Sequence, residues 1–157
     1  MTILVKLERR ESMTLVEQGT LIVPSFVERK NILLRSLTSP TGKTKYKRYV
    51  GAPIRYAGGK SLAVGIIVEL MPDNVERVVS PFLGGGSFEV ACARELDLPV
   101  IASDIFPILT TYWKIHLSEP EALYDRLLQF PPTVEEFYSA KERLKKHWKG
   151  ELPLASD

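Results

Sequence analysis

The sequence has little cysteine and no long apolar run. Cys92 is the single cysteine among 157 residues, which excludes an internal disulfide and a zinc site of the usual multi-cysteine kind. No apolar stretch approaches the ~20 residues that span a bilayer, and the first residues lack the pattern of a secretory signal. These absences predict a cytoplasmic location, no membrane partner and no metal site.

The composition is that of an ordinary globular chain. Hydrophobic residues make up 45% and charged residues 25%, which excludes general disorder, a collagen-like repeat and a coiled coil. The net charge is only +2, but residues 1–60 hold 12 basic and 4 acidic side chains, whereas residues 61–157 hold 9 and 15. A basic N-terminal third can lie near phosphates or form a solvated arm, and both interpretations stay open.

Secondary-structure signals divide the chain into three parts. Residues 1–50 are predicted to be a basic N-terminal extension, partly irregular, with a short strand at Thr20–Val23 and a loop at Ser39–Arg48. Two short β-branched strands are predicted, at Val78–Val79 and Val100–Ala102. Apolar patterning and capping residues predict helices at Ser61–Met71, Ser87–Leu96 and Ile108–Leu117, the first with Ser61 as its N-cap. Two capping boxes, Ser118/Glu121 and Thr133/Glu136, predict two more helices, near 120–129 and 134–148.

A glycine turn joins the first firm strand to its helix. Gly84, Gly85 and Gly86 stand at this turn, and Asp104 follows 20 positions after Gly84, where the second strand ends. Glycines allow close approach of a ligand to the backbone, a helix N-terminus points amides at it, and an acid at this spacing accepts hydrogen bonds from a ribose diol. Because Glu89 stands where a dinucleotide motif has its third glycine, a pyrophosphate is disfavoured. The pattern suits an adenosine-containing ligand without phosphate, such as S-adenosylmethionine.

A second motif, Arg55-Tyr56-Ala57-Gly58-Gly59-Lys60-Ser61, ends like a P-loop. A P-loop requires a glycine five positions before its last one, and Ile54 stands there. Together, the two motifs resemble those of adenine-specific DNA methyltransferases of the DNA adenine methylase type. That family typically reads Lys-Trp-Ala-Gly-Gly-Lys, then Glu-Pro-Phe-x-Gly-Gly-Gly, then a strand ending in Asp-Ile-Asn. The resemblance covers residues 51–148, and its matching segments are Arg55–Lys60, Ser80–Gly86, Asp104–Phe106 and Thr111–Tyr112.

The resemblance implies an α/β fold: a partial Rossmann-like S-adenosylmethionine-dependent methyltransferase fold with an incomplete sheet and several helices. Residues 51–117 would be the half-domain that binds S-adenosylmethionine. Two positions depart from the family pattern, since Ser80 replaces its Glu and Phe106 its Asn. The cofactor-binding residues implied are Tyr56, Ala57, Gly58, Gly59, Lys60, Pro81, Phe82, Gly84, Gly85, Gly86 and Asp104.

The family's catalytic motif, Asp-Pro-Pro followed by an aromatic, has no match here. The only Pro-Pro, Pro131-Pro132, follows Gln129 and Phe130, so no catalytic residue is assigned. We therefore expect the cofactor-binding half of a DNA adenine methyltransferase, with residues 118–157 leading toward a missing target-recognition region and the two firm strands left with open edges. Double-stranded DNA is the expected partner of the complete enzyme. The catalytic half would come from a longer reading frame or from a second chain, and the isolated chain would not turn over.

Two other functions remain open at this stage. One is a non-catalytic module that binds S-adenosylmethionine or acts as a regulatory subunit of a methyltransferase. The other is a small basic nucleic-acid-binding protein. His116 and His147 are interpreted as structural or surface residues, and Cys92 as a small core residue.

Overall fold

The computed structural model describes residues 2–5, 15–17 and 20–151. The predicted basic extension at 1–50 and the predicted segment at 118–157 lie partly outside these residues. The chain forms two compact units, Met1–Leu117 and Ser118–Asp157. The strands are β1 (Thr2–Val5), β2 (Leu15–Glu17), β3 (Thr20–Ile22), β4 (Val78–Ser80) and β5 (Val100–Ser103). The α-helices are α1 (Phe26–Leu37), α2 (Val64–Leu70), α3 (Ser87–Arg94), α4 (Pro107–Ser118), α5 (Pro120–Leu128) and α6 (Val134–Trp148).

The central sheet has three strands in the order β1-β5-β4. Strands β4 and β5 are parallel, with Val78 opposite Val100, and α3 forms the crossover between them. β1 pairs antiparallel with the other edge of β5, with Thr2 opposite Ser103. The prediction that both firm strands lie with open edges is therefore wrong for β5, because a strand from the distant N-terminus covers its second edge. β2 and β3 form a separate antiparallel pair.

The core of the first unit lies where α2, α3 and α4 meet β4 and β5. Val64 and Val68 of α2, Ala91 of α3 and Val100 of β5 are completely buried. Trp113 of α4 is 1% exposed and is the largest of the fully buried side chains. This core holds the carboxyl ends of β4 and β5 in fixed relation to the start of α3, which is where the two sequence motifs lie.

Helix α1 was not predicted, although a capping box marks its start. Ser25 Oγ accepts from the Glu28 amide at 3.3 Å, and the Glu28 carboxylate accepts from the Ser25 amide at 2.7 Å. Leu33 and Leu37 of the helix enter the core. Lys30 Nζ donates to the Met71 carbonyl and to Asp73 Oδ1, at 2.5 and 2.8 Å. This ammonium ties α1 to the turn that follows α2.

Two predicted helix starts are corrected. Residues Lys60–Leu62 form a 3₁₀ turn, and α2 begins only at Val64. Ser61 does not cap it: its Oγ accepts from Arg48 Nη1 at 2.8 Å. Similarly, α5 has Glu119 as its N-cap and a proline in its first turn, because Ser118 is the last residue of α4.

The second unit consists of α5 and α6. Thr133 caps α6 as predicted, with its Oγ1 accepting from the Glu136 amide at 3.2 Å. No residue of these two described helices is buried. Within the described residues, no helix is long and apolar enough to cross a membrane.

Candidate functional site

The two sequence motifs meet in a cleft of about 170 Å³ in the first unit. One wall is the loop that precedes α2, and the other is the glycine turn between β4 and α3. The tip of β5 closes one end. The lining residues are Tyr56, Ala57, Gly58, Gly59, Lys60, Phe82, Leu83, Gly84, Gly85, Gly86, Ser87, Glu89 and Asp104.

Hydrogen bonds fix the glycine turn from several sides. The Leu83 amide donates to the Ser103 carbonyl at 2.9 Å, which continues the pairing of β4 with β5. Trp113 Nε1 donates to the Gly84 carbonyl at 3.0 Å, and the Gly86 amide donates back to the Leu83 carbonyl at 2.9 Å. Contacts within the protein therefore define the conformation of the turn without a ligand.

The glycines of this turn are required by packing within the protein. Gly84 and Gly86 have φ of +54° and +68°, a region that residues with a Cβ rarely adopt. A Cβ on Gly86 would lie 2.3 Å from Trp113 Cζ2, and one on Gly85 would lie 2.9 Å from Tyr56 Cβ. The sequence predicts that these glycines admit a ligand close to the backbone, whereas at Gly85 and Gly86 aromatic residues of the chain itself fill the space that a side chain would need.

Asp104 lies at the end of β5 and faces the glycine turn. Its Oδ2 accepts from the Gly84 amide at 2.8 Å, and its Oδ1 accepts from the Phe106 amide at 3.0 Å. The carboxylate thus holds the turn against the tip of β5. Because each carboxylate oxygen has two lone pairs, acceptor capacity remains on both oxygens for hydroxyl donors in the cleft.

The opposite wall is a tight turn. The Gly59 amide donates to the Tyr56 carbonyl at 2.9 Å, and Gly58 has φ +74°. Lys60 follows directly, and its Nζ donates to the Phe82 carbonyl at 2.9 Å. The Tyr56 ring packs beside Gly84 and is 40% exposed, so one lysine and one aromatic face line this side of the cleft.

Glu89 lines the cleft but is not among the site residues predicted from the sequence. It is 1% exposed, and its Oε1 accepts from Ser80 Oγ at 2.5 Å. Ser80 was interpreted only as the loss of an acidic side chain. The contact shows that helix α3 brings a carboxylate to the end of β4. The feature of the sequence that indicates this is an acidic residue, Glu89, in the first turn of the helix that follows the glycine motif.

Ten of the eleven predicted site residues lie together around this cleft, including Lys60 and Asp104. Pro81, the eleventh, is exposed and does not line it. Cys92 is fully buried on α3, and burial raises the pKa of its thiol to about 12, so it is a core residue as predicted. The His116 ring stacks on Tyr112 with centroids 5.6 Å apart, outside the cleft.

This chain is similar to a curated methyltransferase and matches one family model. The Type II methyltransferase M.FokI of Planomicrobium okeanokoites is 33% identical over 92 residues, which cover 56% of this chain and 14% of that protein. The chain therefore spans about one-seventh of the length of this relative. No solved structure matches the chain significantly. The family model described as D12 class N6 adenine-specific DNA methyltransferase matches residues 56–151, which is more than half of the chain, and the protein belongs to that family.

Proposed function

We propose that the cleft binds S-adenosylmethionine and that the chain is the cofactor-binding half of an adenine-specific DNA methyltransferase, with a partial Rossmann-like fold. The observation that carries the proposal is the meeting of Tyr56, Lys60, the glycine turn and Asp104 in one cleft. Under this proposal residues 51–117 are the cofactor-binding half-domain, and residues 118–157 lead toward a target-recognition region.

The chemistry of the lining residues fits this cofactor. Asp104 keeps lone pairs for the two ribose hydroxyls, while the backbone amides already bound to it hold the carboxylate in place. The exposed face of Tyr56 offers an apolar surface, and its hydroxyl a polar end. Gly86, Ser87 and Glu89 at the start of α3 line the cleft, and the amides in the first turn of a helix lack partners within the helix, so they are available to a ligand without phosphate. When bound, S-adenosylmethionine would supply a sulfonium-activated methyl group.

The DNA substrate follows from the family. We infer that the complete protein acts on adenine in double-stranded DNA and belongs with the restriction–modification methyltransferases, as the Type II relative suggests. Under this proposal the remaining catalytic parts are supplied by a longer reading frame or by a second chain. The lack of Asp-Pro-Pro in these 157 residues supports the expectation that this chain alone does not transfer methyl groups.

Titration calorimetry with S-adenosylmethionine tests the proposal. The wild-type chain is expected to bind, and Lys60→Ala to weaken binding about 10- to 100-fold, because a charge-assisted contact contributes ~1.5–3 kcal/mol. Lys43→Ala, at an exposed loop lysine outside the cleft, is the matched control and should bind like wild type. Absence of binding by the wild-type chain would refute the proposal.

A methyl-transfer assay on adenine-containing duplex DNA tests the second part. We expect no product from the chain alone. Product from the chain alone would show that the catalytic residues are present among these 157.

A further inference from the structure

Glu89 carries a buried carboxylate with only one of its oxygens in a hydrogen bond. Oε1 accepts from Ser80 Oγ at 2.5 Å. Oε2 is buried and has no hydrogen-bond partner among the described residues. A buried charge that is not fully paired is costly, so this oxygen needs a donor from elsewhere.

The cation nearest to Glu89 compensates it only in part. Lys60 Nζ lies 4.0 Å from Oε1, on the side that Ser80 already occupies, and it donates to the Phe82 carbonyl. The Lys60 side chain is 40% exposed, whereas that of Glu89 is 1% exposed. Because Glu89 lines the cleft, a positively charged donor on a ligand bound there would complete the pairing of this carboxylate.

The two side chains place opposite charges side by side in the cleft wall. Both line the same cavity. An α-amino acid carries an ammonium and a carboxylate on a single carbon, with the two charges a few ångströms apart. A carboxylate and an ammonium 4.0 Å apart form the complement of that group, with Glu89 facing its ammonium and Lys60 its carboxylate.

We propose that Glu89 binds the α-ammonium of an amino-acid group on the ligand, and that it makes the cleft select nucleosides that carry this group over nucleosides that lack it. This inference rests on the proposed function, because it assigns one end of the same cofactor. Glu89 is then a specificity-determining residue on α3, held in position by Ser80.

Two ligands that differ at the amino-acid end provide the test. S-adenosylhomocysteine has that end, and 5′-deoxy-5′-methylthioadenosine shares the adenosine and sulfur but lacks it. In calorimetry, Glu89→Gln is expected to weaken binding of S-adenosylhomocysteine about 10- to 100-fold and to leave 5′-deoxy-5′-methylthioadenosine unchanged. Glu95→Gln is the matched control: Glu95 follows the same helix and accepts from the Tyr49 hydroxyl at 3.0 Å, outside the cleft, so both affinities should stay at the wild-type value.

The stability of the Glu89→Gln variant shows whether Glu89 recognises the ligand or only supports the fold. Glutamine has nearly the shape of glutamate and can still accept from Ser80, while the buried charge is removed. The thermal unfolding midpoint of Glu89→Gln without ligand should therefore equal or exceed that of wild type. If this variant does not fold, Glu89→Asp withdraws the carboxylate by one methylene and should give the same selective loss, smaller in size.

Three outcomes would overturn the inference. Equal loss of both ligands would make Glu89 a structural residue of the cleft, and unchanged binding of S-adenosylhomocysteine would remove its role. Equal affinity of the wild-type chain for the two ligands would also refute the selection, while the proposed function would stand. If the wild-type chain binds neither these ligands nor S-adenosylmethionine, the proposed function itself fails.

Discussion

Asp104 combines a structural role with its proposed role toward the ligand. Its two oxygens accept from the amides of Gly84 and Phe106, so the same carboxylate that would receive the ribose hydroxyls also connects β5 to the glycine turn. A variant that loses ligand binding at this position does not by itself identify a ribose contact, so its stability has to be measured as well.

The structural part can be measured without ligand. Asp104→Asn leaves one carbonyl oxygen for two amide donors and turns an NH₂ group toward the other. We expect the free energy of unfolding to fall by about 1–3 kcal/mol, measured by urea denaturation, while Asp125→Asn at an exposed position of α5 should change it little. Equal stability of Asp104→Asn and wild type would show that the two backbone contacts do not hold the turn.

Substitution of Gly86 tests two costs separately, that of a left-handed backbone and that of overpacking against Trp113. Gly86→Ala places a Cβ at φ +68° and 2.3 Å from Trp113 Cζ2, whereas Gly42→Ala places one at φ +67° with no described atom within 4 Å. The left-handed conformation costs about 1–2 kcal/mol at either site, and overpacking adds about 1–3 kcal/mol at Gly86 alone. Urea denaturation of both variants gives the difference, and equal losses would mean that Trp113 moves away freely.

At the scale of elements, the capping box of α1 makes stability depend on pH. The hydrogen bonds from the Ser25 amide and then the Ser25 hydroxyl lower the pKa of Glu28 below its ordinary value. A carboxylate with a lowered pKa in the folded state stabilises the fold above its unfolded-state pKa, and this stabilisation is lost as the pH falls through the folded-state pKa.

We therefore expect Glu28→Gln to be less stable than wild type at about pH 6, because a neutral side chain caps the helix less well. The difference should shrink as the pH is lowered from about 6 through the lowered pKa of Glu28. Urea denaturation across this range measures it. A difference that stays constant over the range would mean that the charge of Glu28 does not contribute to the cap.

The elements that could be predicted are those with local signals. The strand at Val78, the turn at Gly84 and the helix from Ser87 follow from neighbouring residues, and so does the position of Asp104 at the next strand end. α1 was missed because its buried positions include Lys30, which interrupts the apolar pattern and is accommodated only by its contacts with Met71 and Asp73 in space.

Contacts between segments that lie far apart in the chain could not be predicted from the sequence. β1 lies next to β5 although about 95 residues separate them in the chain, and no local pattern encodes that register. In the site, the motifs predicted which residues would share a cleft. The sequence did not predict the hydrogen bond from Ser80 to Glu89, because Ser80 alone indicated only the loss of an acid and Glu89 alone only repulsion of a phosphate. Only the structure shows that Glu89 is buried with one carboxylate oxygen bonded to Ser80.

At the scale of the whole chain, the two units differ in what stabilises them. The first has a core of completely buried side chains such as Val68, Ala91 and Val100. In the second, α6 is supported by contacts within the helix, including the Thr133 cap and the ion pairs Arg143–Glu136 and Lys145–Glu142. Each exposed pair of this kind contributes only about 0.2–0.5 kcal/mol, and isolated helices of this length are marginal in water.

Hydrogen exchange should reveal this difference. Because no residue of α5 or α6 is buried, we expect their amides to exchange by local opening, at least about tenfold faster than those of α3 and β5, which open only with the core. Mass spectrometry of peptides from the labelled chain measures both sets in one sample, so the first unit is its own control. Equal protection of α6 and β5 would contradict this expectation and would mean that side chains of the second unit are buried in solution. Substitution of the exposed apolar residues Leu127, Phe137 and Trp148 would then show which of them contribute.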